Sequence, residues 1–413
     1  MPTPAHPDPA SLVAPAELGR LRDAVAARLP AYLEALAALV EIDSGSGDLD
    51  GLERVAAPVA ERLAALGASV SLERDPAHGP TVVGRIHGPP GVPRILLIAH
   101  LDTVYPSGTA AARGFAVRDG RALGPGVSDD KGGLLAGLFA LEALRAALPR
   151  VWPPATLTVV ANPDEEVGSP ASTPIISRLA AEHDVALVLE AARANGDVVG
   201  ARKGNLHLQI RLRGRAAHAG VEPEKGRSAI LAAAQLVVAL HALSGRWPGV
   251  TVNVGAIEGG TRPNVVAEWA QLEVDVRAPD RASLLAAEAE IRRLAARLAV
   301  PDVAAEVTER ARHWPMERSA GTGRLVQLAR AVARGLGFEI RDAATGGASD
   351  ANTTAGLGLP TLDGLGPVGG DDHSPEEYLE LDSVVPRTSL LAGLVLAVAR
   401  ERGFAPRPGH RAR

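Results

Sequence analysis

Short aliphatic runs alternate with segments of helical apolar spacing through the first half of the chain. The runs at 95–98, 157–160 and 187–189 are bounded by polar, proline or glycine residues, as the central strands of a buried sheet are. The segment 57–66 has apolar positions at helical spacing and is predicted to form a helix. This alternation of strands and helices predicts an α/β domain whose central sheet is mostly parallel.

From about residue 204 the pattern changes to strict alternation of apolar and polar positions. Leu206, Leu208, Ile210 and Leu212 lie on one face of the predicted strand, and polar side chains lie on the other. The next predicted elements are a helix, two strands, a helix and a strand, at 228–243, around 252, at 272–276, at 282–298 and near 307. The order βαββαβ predicts a ferredoxin-like domain inserted into the α/β domain.

The insertion divides the α/β domain into two parts that are distant in sequence. We therefore expect three segments, at 1–203, 204–312 and 313–413. Helices predicted at 324–335 and 384–400 return to the α/β pattern after the insertion. Residues 405–413 are expected to form a loose tail.

The composition indicates how many domains to expect, which residues could bind a metal, and which partners are not expected. A chain of 413 residues is too long for one ordinary hydrophobic core, which agrees with two domains. The sequence contains no cysteine, so any bound metal must be held by histidine and carboxylate ligands. The formal net charge is only −5 and no basic run is interleaved with aromatic residues, so nucleic acid is not an expected partner.

Signals for a membrane or for export are missing from the pattern. No apolar run approaches the roughly 20 residues that span a bilayer, so no membrane partner is expected. The N-terminal residues lack the basic start and following apolar stretch of a secretory signal. We therefore expect a cytoplasmic protein.

Histidine and acidic residues follow each of the three predicted strands of the first domain. His100 and Asp102 follow the first run, Glu165 and Glu166 the second, and Glu190 the third. Each group alone also fits a capped strand end or a solvated acidic turn. Because ligands of open α/β sheets bind beyond the carboxyl ends of the strands, we expect a site where these residues lie.

Two further segments add candidate ligands. Glycines surround Asp129 and Asp130 at 124–133, just before the apolar helix predicted at 134–148. The glycine spacing does not fit a dinucleotide loop, and carboxylates there would repel a phosphate. An ordinary acidic helix N-terminus remains an alternative for these aspartates. His373 lies in a loop that follows two glycines and two aspartates.

Taken together, these motifs from about His100 to Tyr378 resemble those of the di-zinc family that includes glutamate carboxypeptidase, acetylornithine deacetylase, succinyl-diaminopimelate desuccinylase and aminoacylase. The resemblance implies two zinc ions per chain, with Co²⁺ or Mn²⁺ as substitutes. It implies five ligands: His100 and Glu190 for one ion, Glu166 and His373 for the other, and Asp129 as the bridge between them. It also implies a cis peptide bond between Asp129 and Asp130.

The resemblance further implies a reaction. Asp102 would orient His100, and Glu165 would be the general base that takes a proton from the water between the two ions. The expected activity is that of a metallo-exopeptidase of the glutamate carboxypeptidase type, an amidohydrolase that cleaves an amide bond beside a carboxylate in an acyl-amino-acid or peptide substrate. A glutamate at position 190 resembles the carboxypeptidases and deacylases of the family more than its aminopeptidases.

Two other functions stay open. One is an N-acyl-amino-acid deacylase similar to acetylornithine deacetylase, which would use the same metals. The other is a non-catalytic zinc-binding protein of the same fold, against which the presence of Glu165 argues.

Residues of the inserted domain resemble family positions that contact substrate. The segment around His218 resembles a loop whose histidine reaches the active site of a neighbouring subunit, which implies a homodimer formed through 204–312, the dimerisation and lid domain. Asn264 and Arg277 resemble residues that bind the substrate carboxylate, although Arg277 fits a paired strand residue equally well.

Weaker motifs place Lys203 and Gly347 among the substrate contacts as well. The segment around Arg310 and Arg312 departs from the carboxypeptidase pattern. That departure leaves specificity for a C-terminal glutamate open.

Overall fold

The structure is a computed structural model, which describes residues 7–404. The expected loose tail at 405–413 lies outside the described residues. The chain divides into two units by its internal contacts. Within the described residues, the first unit comprises 7–200, 318–344 and 349–404, and the second comprises 201–317 and 345–348.

Up to residue 202 the chain forms helices and strands, and helices separate the three aliphatic runs of the sequence, as the apolar pattern predicts. The helices and strands are α1 (Pro15–Ala26), α2 (Leu29–Val40), α3 (Leu49–Ala65), β1 (Ser69–Asp75), β2 (Gly79–Ile86), β3 (Arg94–His100), α4 (Thr109–Ala112), β4 (Ala116–Arg118), β5 (Arg121–Leu123), α5 (Lys131–Ala147), β6 (Thr156–Asn162), α6 (Thr173–Glu182), β7 (Val185–Val188) and β8 (Val198–Arg202). The three aliphatic runs of the sequence fall in β3, β6 and β7.

The remaining elements continue in chain order. They are β9 (Gly204–Arg213), α7 (Ala229–His241), β10 (Thr251–Gly259), β11 (Trp269–Ala278), α8 (Arg281–Ala295), β12 (Ala304–His313), α9 (Ala320–Gly335), β13 (Asp342–Thr345), α10 (Asp350–Gly356), β14 (Thr361–Leu362), β15 (Gly369–Gly370), β16 (Tyr378–Glu380) and α11 (Leu381–Arg400).

A six-stranded sheet forms the centre of the first unit, in the order β1-β2-β6-β3-β7-β14. The pairs β6–β3, β3–β7 and β7–β14 are parallel, whereas β1–β2 and β2–β6 are antiparallel. The sheet is therefore mixed, with an antiparallel hairpin added to a parallel core. The register pairs His100 with Asn162, so the carboxyl ends of β3 and β6 lie side by side.

Helix α5 places the segment before it against the carboxyl end of β7. It packs on β3 and against α1, α2 and α11, and nearly every residue of its first three turns is buried. A Cβ atom added at Gly133 would lie 2.0 Å from the carbonyl oxygen of Leu189. Only glycine allows this approach, which brings the start of α5 next to Glu190.

Helix α11 corrects the expectation that no segment is long and apolar enough for a membrane span. Among the described residues, it is the one helix that passes by length and composition, with 20 residues and a mean hydropathy of 1.5. Of its most apolar window, 72% is buried inside the protein, where it packs against α1, α5 and α9. Its composition therefore matches that of a core helix.

The second unit contains the elements β9, α7, β10, β11, α8 and β12, in that order. Its four strands form an antiparallel sheet in the order β10-β11-β9-β12. The alternation of Leu206, Leu208, Ile210 and Leu212 directs these side chains into a separate hydrophobic core beneath α7 and α8.

One helix and the boundaries of the insertion differ from the sequence-based prediction. Helix α3 begins well before residue 57, because the Asp48 carboxylate accepts a hydrogen bond from the Gly51 N–H at 3.1 Å and caps the first turn. The second unit is also longer than 204–312. The backbone of Arg202 pairs with that of Met316, which brings the residues that flank the predicted insertion into this unit.

Candidate metal centre

The carboxyl ends of three neighbouring strands bring the predicted acidic and histidine residues together. His100 is the last residue of β3 and its side chain is 1% exposed. Glu165 and Glu166 lie in a single 3-10 turn that follows β6, and Glu190 follows β7. Because β6, β3 and β7 are adjacent in the sheet, these side chains converge at one edge.

The Asp129 carboxylate lies between two groups of potential ligands. Its Oδ1 is 2.8 Å from His100 Nε2, and its Oδ2 is 3.2 Å from His373 Nε2. On the first side, His100 Nε2 is 3.9 Å from a carboxylate oxygen of Glu190. On the second side, His373 Nε2 is 3.2 Å from an oxygen of Glu166. The two oxygens of Asp129 thus face two different clusters.

The peptide bond between Asp129 and Asp130 is cis, which confirms that expectation. The two aspartates have different partners. Asp129 joins the ligand groups, whereas the buried Asp130 accepts a hydrogen bond from the His100 N–H at 3.3 Å. The assignment of Asp129 as the aspartate between the clusters therefore agrees with the geometry.

The electrostatics of the centre show an excess of carboxylates. Burial alone would raise the pKa of Asp129, but hydrogen bonds from His100 and His373 hold it well below its ordinary value. Burial and the neighbouring Asp129 charge raise the pKa of Glu166 to about 7. Burial and the Glu190 charge raise the pKa of Glu165 well above its ordinary value. The carboxylates repel one another, and a cation among them would relieve that repulsion.

The residues fit a pair of divalent metal ions. His100, Asp129 and Glu190 each offer a ligand atom, and these atoms lie within 4.8 Å of one another. Asp129, Glu166 and His373 form a second group of the same kind. The Oε1 atom of Glu166 is buried without a hydrogen-bond partner among the described residues, which leaves it available to a bound ion. Histidine nitrogens with carboxylate oxygens are a donor set typical of zinc.

Comparison with known proteins identifies the family. The sequence pattern of peptidase family M20/M25/M40 matches residues 96–397, which is more than half of the chain. The chain belongs to peptidase family M20/M25/M40. Carboxypeptidase G2 of Pseudomonas sp. (strain RS-16) is 30% identical to it over 375 residues, which cover 89% of each chain.

Two other similarities extend over most of this M20 family chain. Succinyl-diaminopimelate desuccinylase of Stenotrophomonas maltophilia (strain R551-3) is 30% identical over 326 residues, which cover 74% of this chain and 84% of that one. The crystal structure of aminopeptidase PepT from Bacillus cereus ATCC 10987 has the same fold, with a TM-score of 0.74 and 24% identity over 90% of this chain and 99% of that one. The protein is a metal-dependent peptidase or amidohydrolase, and the resemblance drawn from its motifs is confirmed.

Asp102 connects the turn that follows β6 to His100 in this M20 family site. Its Oδ1 accepts a hydrogen bond from the Glu165 N–H at 3.1 Å and lies 3.3 Å from His100 Nδ1. Its Oδ2 accepts from the Glu166 N–H at 3.1 Å. One fully buried carboxylate therefore positions a candidate ligand histidine and both glutamates of the turn.

Glu377 is a structural residue of the site that the sequence analysis missed. Its buried carboxylate accepts hydrogen bonds from the N–H groups of Gly126, Ser128 and Asp129 at 2.9, 2.9 and 3.1 Å. It also accepts from the Tyr105 hydroxyl at 2.8 Å. Glu377 follows His373 by four residues, so it ties the loop of one candidate ligand to the backbone of another.

Hydrogen bonds from other segments of the chain hold the loop of His373 in place. His373 has a φ of 64°, in the left-handed region that residues other than glycine seldom adopt. The Tyr105 hydroxyl also lies 2.8 Å from the Ser374 carbonyl, so its one proton is shared between that carbonyl and Glu377, and Arg113 donates to the same carbonyl at 3.2 Å. Of the two adjacent glutamates, Glu376 is exposed, whereas the buried Glu377 accepts the hydrogen bonds that anchor the segment. The sequence signal was weak, because this Glu-Glu pair also fits a solvated acidic turn.

Two further buried carboxylates, those of Asp164 and Asp350, support the turn of Glu165 and Glu166 through hydrogen bonds. Asp164 accepts hydrogen bonds from the Ala171 N–H at 2.6 Å and the Ser172 N–H at 3.2 Å. The Ser169 hydroxyl donates to Asp350 at 2.6 Å. Asp350 begins α10, so a distant part of the chain supports this turn.

The predicted substrate contacts lie in the second unit. His218 and Asn264 are exposed, and their loops pair through the Ala219 N–H, which donates to the Asn264 carbonyl at 3.0 Å. The Arg277 side chain donates to Asp275 on the same strand at 2.9 Å, in agreement with the paired-strand alternative. The backbone N–H of Lys203 donates to the Thr345 carbonyl at 3.0 Å.

Gly347 belongs to the second unit as well, and its carbonyl accepts a hydrogen bond from Arg202 at 3.2 Å. All five of these predicted contacts are therefore in the second unit, whereas the candidate metal ligands are in the first. Their roles remain predictions.

Proposed function

We propose that this protein is a di-zinc hydrolase that cleaves the amide bond beside a carboxylate-bearing amino acid, in the manner of a glutamate carboxypeptidase. The observation that supports two ions is the position of the Asp129 carboxylate, with one oxygen 2.8 Å from His100 and the other 3.2 Å from His373. His100 and Glu190 would hold one zinc ion, Glu166 and His373 the other, and Asp129 both.

Bound zinc ions would lower the pKa of a water molecule and polarise the scissile carbonyl. Glu165 would take a proton from the attacking water and deliver it to the leaving nitrogen. Burial and the Glu190 charge raise its pKa above the ordinary value, which favours acceptance of a proton by its carboxylate. The hydrogen bond from its N–H to Asp102 fixes the backbone from which it acts.

The second unit would supply substrate recognition and the dimer. Arg277, Asn264, Lys203 and Gly347 would contact the substrate, with Arg277 as the partner of its carboxylate. Release of Arg277 from Asp275, to which it now donates at 2.9 Å, would make its guanidinium available.

The proposed homodimer is supported by exposed apolar side chains on the second unit, whose four-stranded sheet we propose to be that of a ferredoxin-like domain. Leu231, Val238 and Ile257 are 52%, 72% and 52% exposed, on α7 and on β10. Strand β10 is an edge of the described sheet, where a second chain can add its own strand. In this dimer His218 would act in the site of the partner chain.

The test is hydrolysis of a substrate panel by protein that has been stripped of metal and reloaded with zinc. The panel contains N-benzoyl-glutamate, N-acetylornithine, N-succinyl-diaminopimelate and dipeptides. We expect zinc-dependent release of the amino acid from an acylated or peptidyl glutamate. Preference for N-acetylornithine or N-succinyl-diaminopimelate would instead support the deacylase alternative, which the similarity to the desuccinylase favours. Inactivity on every compound with two zinc ions bound would contradict both.

A further inference from the structure

Arg387 is a buried cation on α11, and its side chain reaches backbone rather than acidic groups. The residue is 2% exposed. Within residues 7–404, its hydrogen-bond partners are three backbone carbonyl oxygens, and no carboxylate forms an ion pair with it. Burial lowers its pKa to about 10, so the guanidinium stays protonated at neutral pH. A buried charge of this kind needs its donors satisfied, and the three carbonyls satisfy them.

Two of these carbonyls belong to the loop 363–368, which lies beside the segment of Glu190. Arg387 Nε donates to the Gly366 carbonyl at 3.0 Å, and Nη2 donates to the Gly364 carbonyl. The Gly366 N–H in turn donates to the Glu190 carbonyl at 2.9 Å. One residue of the loop therefore connects the guanidinium to the backbone of a candidate metal ligand.

The loop and the segment of Glu190 are in close backbone contact. The Ala192 N–H donates to the Pro367 carbonyl at 3.0 Å, so the pairing continues past Glu190. A Cβ atom added at Gly366 would lie 2.5 Å from the carbonyl oxygen of Leu189. Because only glycine allows this approach, a displacement of the loop must also displace the backbone of Glu190 or break these hydrogen bonds.

The third carbonyl lies in the turn that follows Glu190. Arg387 Nη1 donates to the Gly196 carbonyl at 2.8 Å. The turn itself closes through the Gly196 N–H, which donates to the Arg193 carbonyl at 2.6 Å, and the Arg193 N–H, which donates to the Asp197 carbonyl at 3.1 Å. The planar guanidinium has donors in fixed directions, so one side chain holds both the loop beside Glu190 and the turn after it.

We infer that Arg387 is a positioning residue for Glu190, because it fixes the backbone from which the Glu190 carboxylate reaches the metal centre. The inference rests on the proposed function, in which Glu190 is a ligand. Glu190 belongs to the cluster with His100 and Asp129 and not to the second cluster. The effect of Arg387 should therefore fall on one of the two ions.

Stepwise zinc affinity of Arg387→Gln tests the inference. Competition with a chromophoric chelator should show one of two binding steps weakened about 10- to 100-fold, as when a group that orients a metal ligand is removed. Arg400→Gln is the matched control, since Arg400 lies on the same helix and pairs with Glu17 of α1. Its zinc affinities should equal those of the wild type. Equal weakening of both steps in Arg387→Gln, or of neither, would overturn the inference.

A double-mutant cycle shows whether Arg387 acts through Glu190. In a Glu190→Ala background, Arg387→Gln should weaken zinc binding no more than about twofold further, because the positioned ligand is already lost. In a Glu166→Ala background, the full loss from Arg387→Gln should remain at the other ion. Full weakening in the Glu190→Ala background would show that Arg387 acts by another route, and the inference would be wrong.

A second variant displaces the loop without changing the guanidinium, so the test survives if Arg387→Gln fails to fold. Gly366→Ala places a Cβ atom against the Leu189 carbonyl and should weaken the same zinc step. Gly323→Ala, on α9, is the matched control, because a Cβ atom there meets nothing within 4 Å. Identical zinc affinities in these two variants would show that the loop does not position Glu190.

Backbone exchange in the metal-free protein separates this inference from the proposed function. Hydrogen–deuterium exchange followed by mass spectrometry should be faster at 188–197 and 363–368 in Arg387→Gln than in Arg400→Gln. If Glu190→Ala leaves both zinc steps unchanged, the ligand assignment of the proposed function fails, and the exchange rates alone decide whether Arg387 fixes the segment of Glu190. Equal exchange in the two arginine variants would overturn the inference even in an active enzyme.

Discussion

The candidate metal ligands of the first unit and the candidate substrate contacts of the second are held in different ways. His100 is buried, and the carboxylate of Asp102 and the backbone around Asp129 are fixed by hydrogen bonds from distant segments. His218 and Asn264 are exposed, and their loops are joined to each other by the hydrogen bond from the Ala219 N–H to the Asn264 carbonyl. The ligand cluster is therefore ordered by the fold itself, whereas the exposed side chains of these loops are accessible to a substrate or to a second chain.

The largest expected effect concerns the metal centre of the first unit. Changes at two neighbouring glutamates separate the loss of proton transfer from the loss of bound metal. Glu165→Ala should lower kcat by about 10²- to 10⁴-fold, because a positioned general base is lost, while both zinc ions stay bound. Glu166→Ala, the neighbouring change, should lose zinc because it removes a ligand. Steady-state kinetics and metal analysis of both variants measure the two effects.

A Glu165→Ala protein with a near-normal kcat would show that the base is assigned wrongly. A Glu166→Ala protein that retains two zinc ions would remove Glu166 from the ligand set. Thermal unfolding of the metal-free proteins serves as the control, since both variants should remain folded.

The second prediction tests whether the exposed loop acts only in an assembly. His218→Ala should lower kcat by about 10²- to 10³-fold with its zinc intact, because a donor to the developing oxyanion is lost. A heterodimer of one Glu165→Ala chain and one His218→Ala chain contains one complete site if His218 acts on the partner. Subunit exchange should then restore activity in the mixture.

Verified heterodimers that stay as inactive as both parents, under conditions that the wild type survives, would exclude action across the dimer. Full activity of His218→Ala would instead show a loop histidine that only packs. Either result would remove the proposed dependence of the second unit on a partner chain.

The two regions also differ in how far the sequence could predict them. The three aliphatic runs predicted β3, β6 and β7, and the rule that sites lie beyond strand ends predicted a site at the residues that follow them. The roles of those residues as ligands came from the resemblance to the di-zinc family. The alternation at 206–212 predicted the strand β9 and its buried face. These features depend on periodicity and on short motifs, which are local.

Long-range anchors could not be predicted in the same way. Glu377 contacts the backbone of Gly126, about 250 residues away in the chain, and no periodicity marks such a partner. The early start of α3 depends on the side-chain cap of Asp48, which is one of many aspartates in the sequence. The antiparallel β1–β2 hairpin makes the sheet mixed, but it leaves no mark on the apolar sequence pattern of the central strands.

A third and smaller effect tests whether Glu377 orders the metal centre. Glu377→Ala should weaken zinc binding about 10- to 100-fold, because the backbone around Asp129 loses the acceptor of three hydrogen bonds. Glu376→Ala changes the adjacent exposed glutamate and is the matched control, with zinc affinity close to that of the wild type. Competition with a chromophoric chelator measures both. Equal affinities in the two variants would show that the ligands are ordered without Glu377.

The smallest expected effect tests how much the Tyr105 hydroxyl contributes to zinc binding, apart from the Glu377 carboxylate that it contacts. The Tyr105 hydroxyl shares its one proton between Glu377 and the Ser374 carbonyl, each at 2.8 Å, next to the strained backbone of His373. Tyr105→Phe removes these bonds but leaves the backbone donors of Glu377 in place. Loss of hydrogen bonding on the order of 1 kcal/mol corresponds to about fivefold weaker zinc binding, less than in Glu377→Ala.

The effect of Tyr105→Phe should appear in the affinity for one of the two ions, because the hydroxyl contacts the residue that follows His373. Tyr378→Phe removes the same hydroxyl from a neighbouring tyrosine and is the matched control. Chelator competition that resolves two binding steps should show one weakened step in Tyr105→Phe and none in the control. If both steps weaken as much as in Glu377→Ala, Tyr105 and Glu377 act as a single unit. If neither binding step weakens, the remaining contacts of the His373 loop are sufficient to hold it. The ligand cluster is then ordered without the hydroxyl of Tyr105.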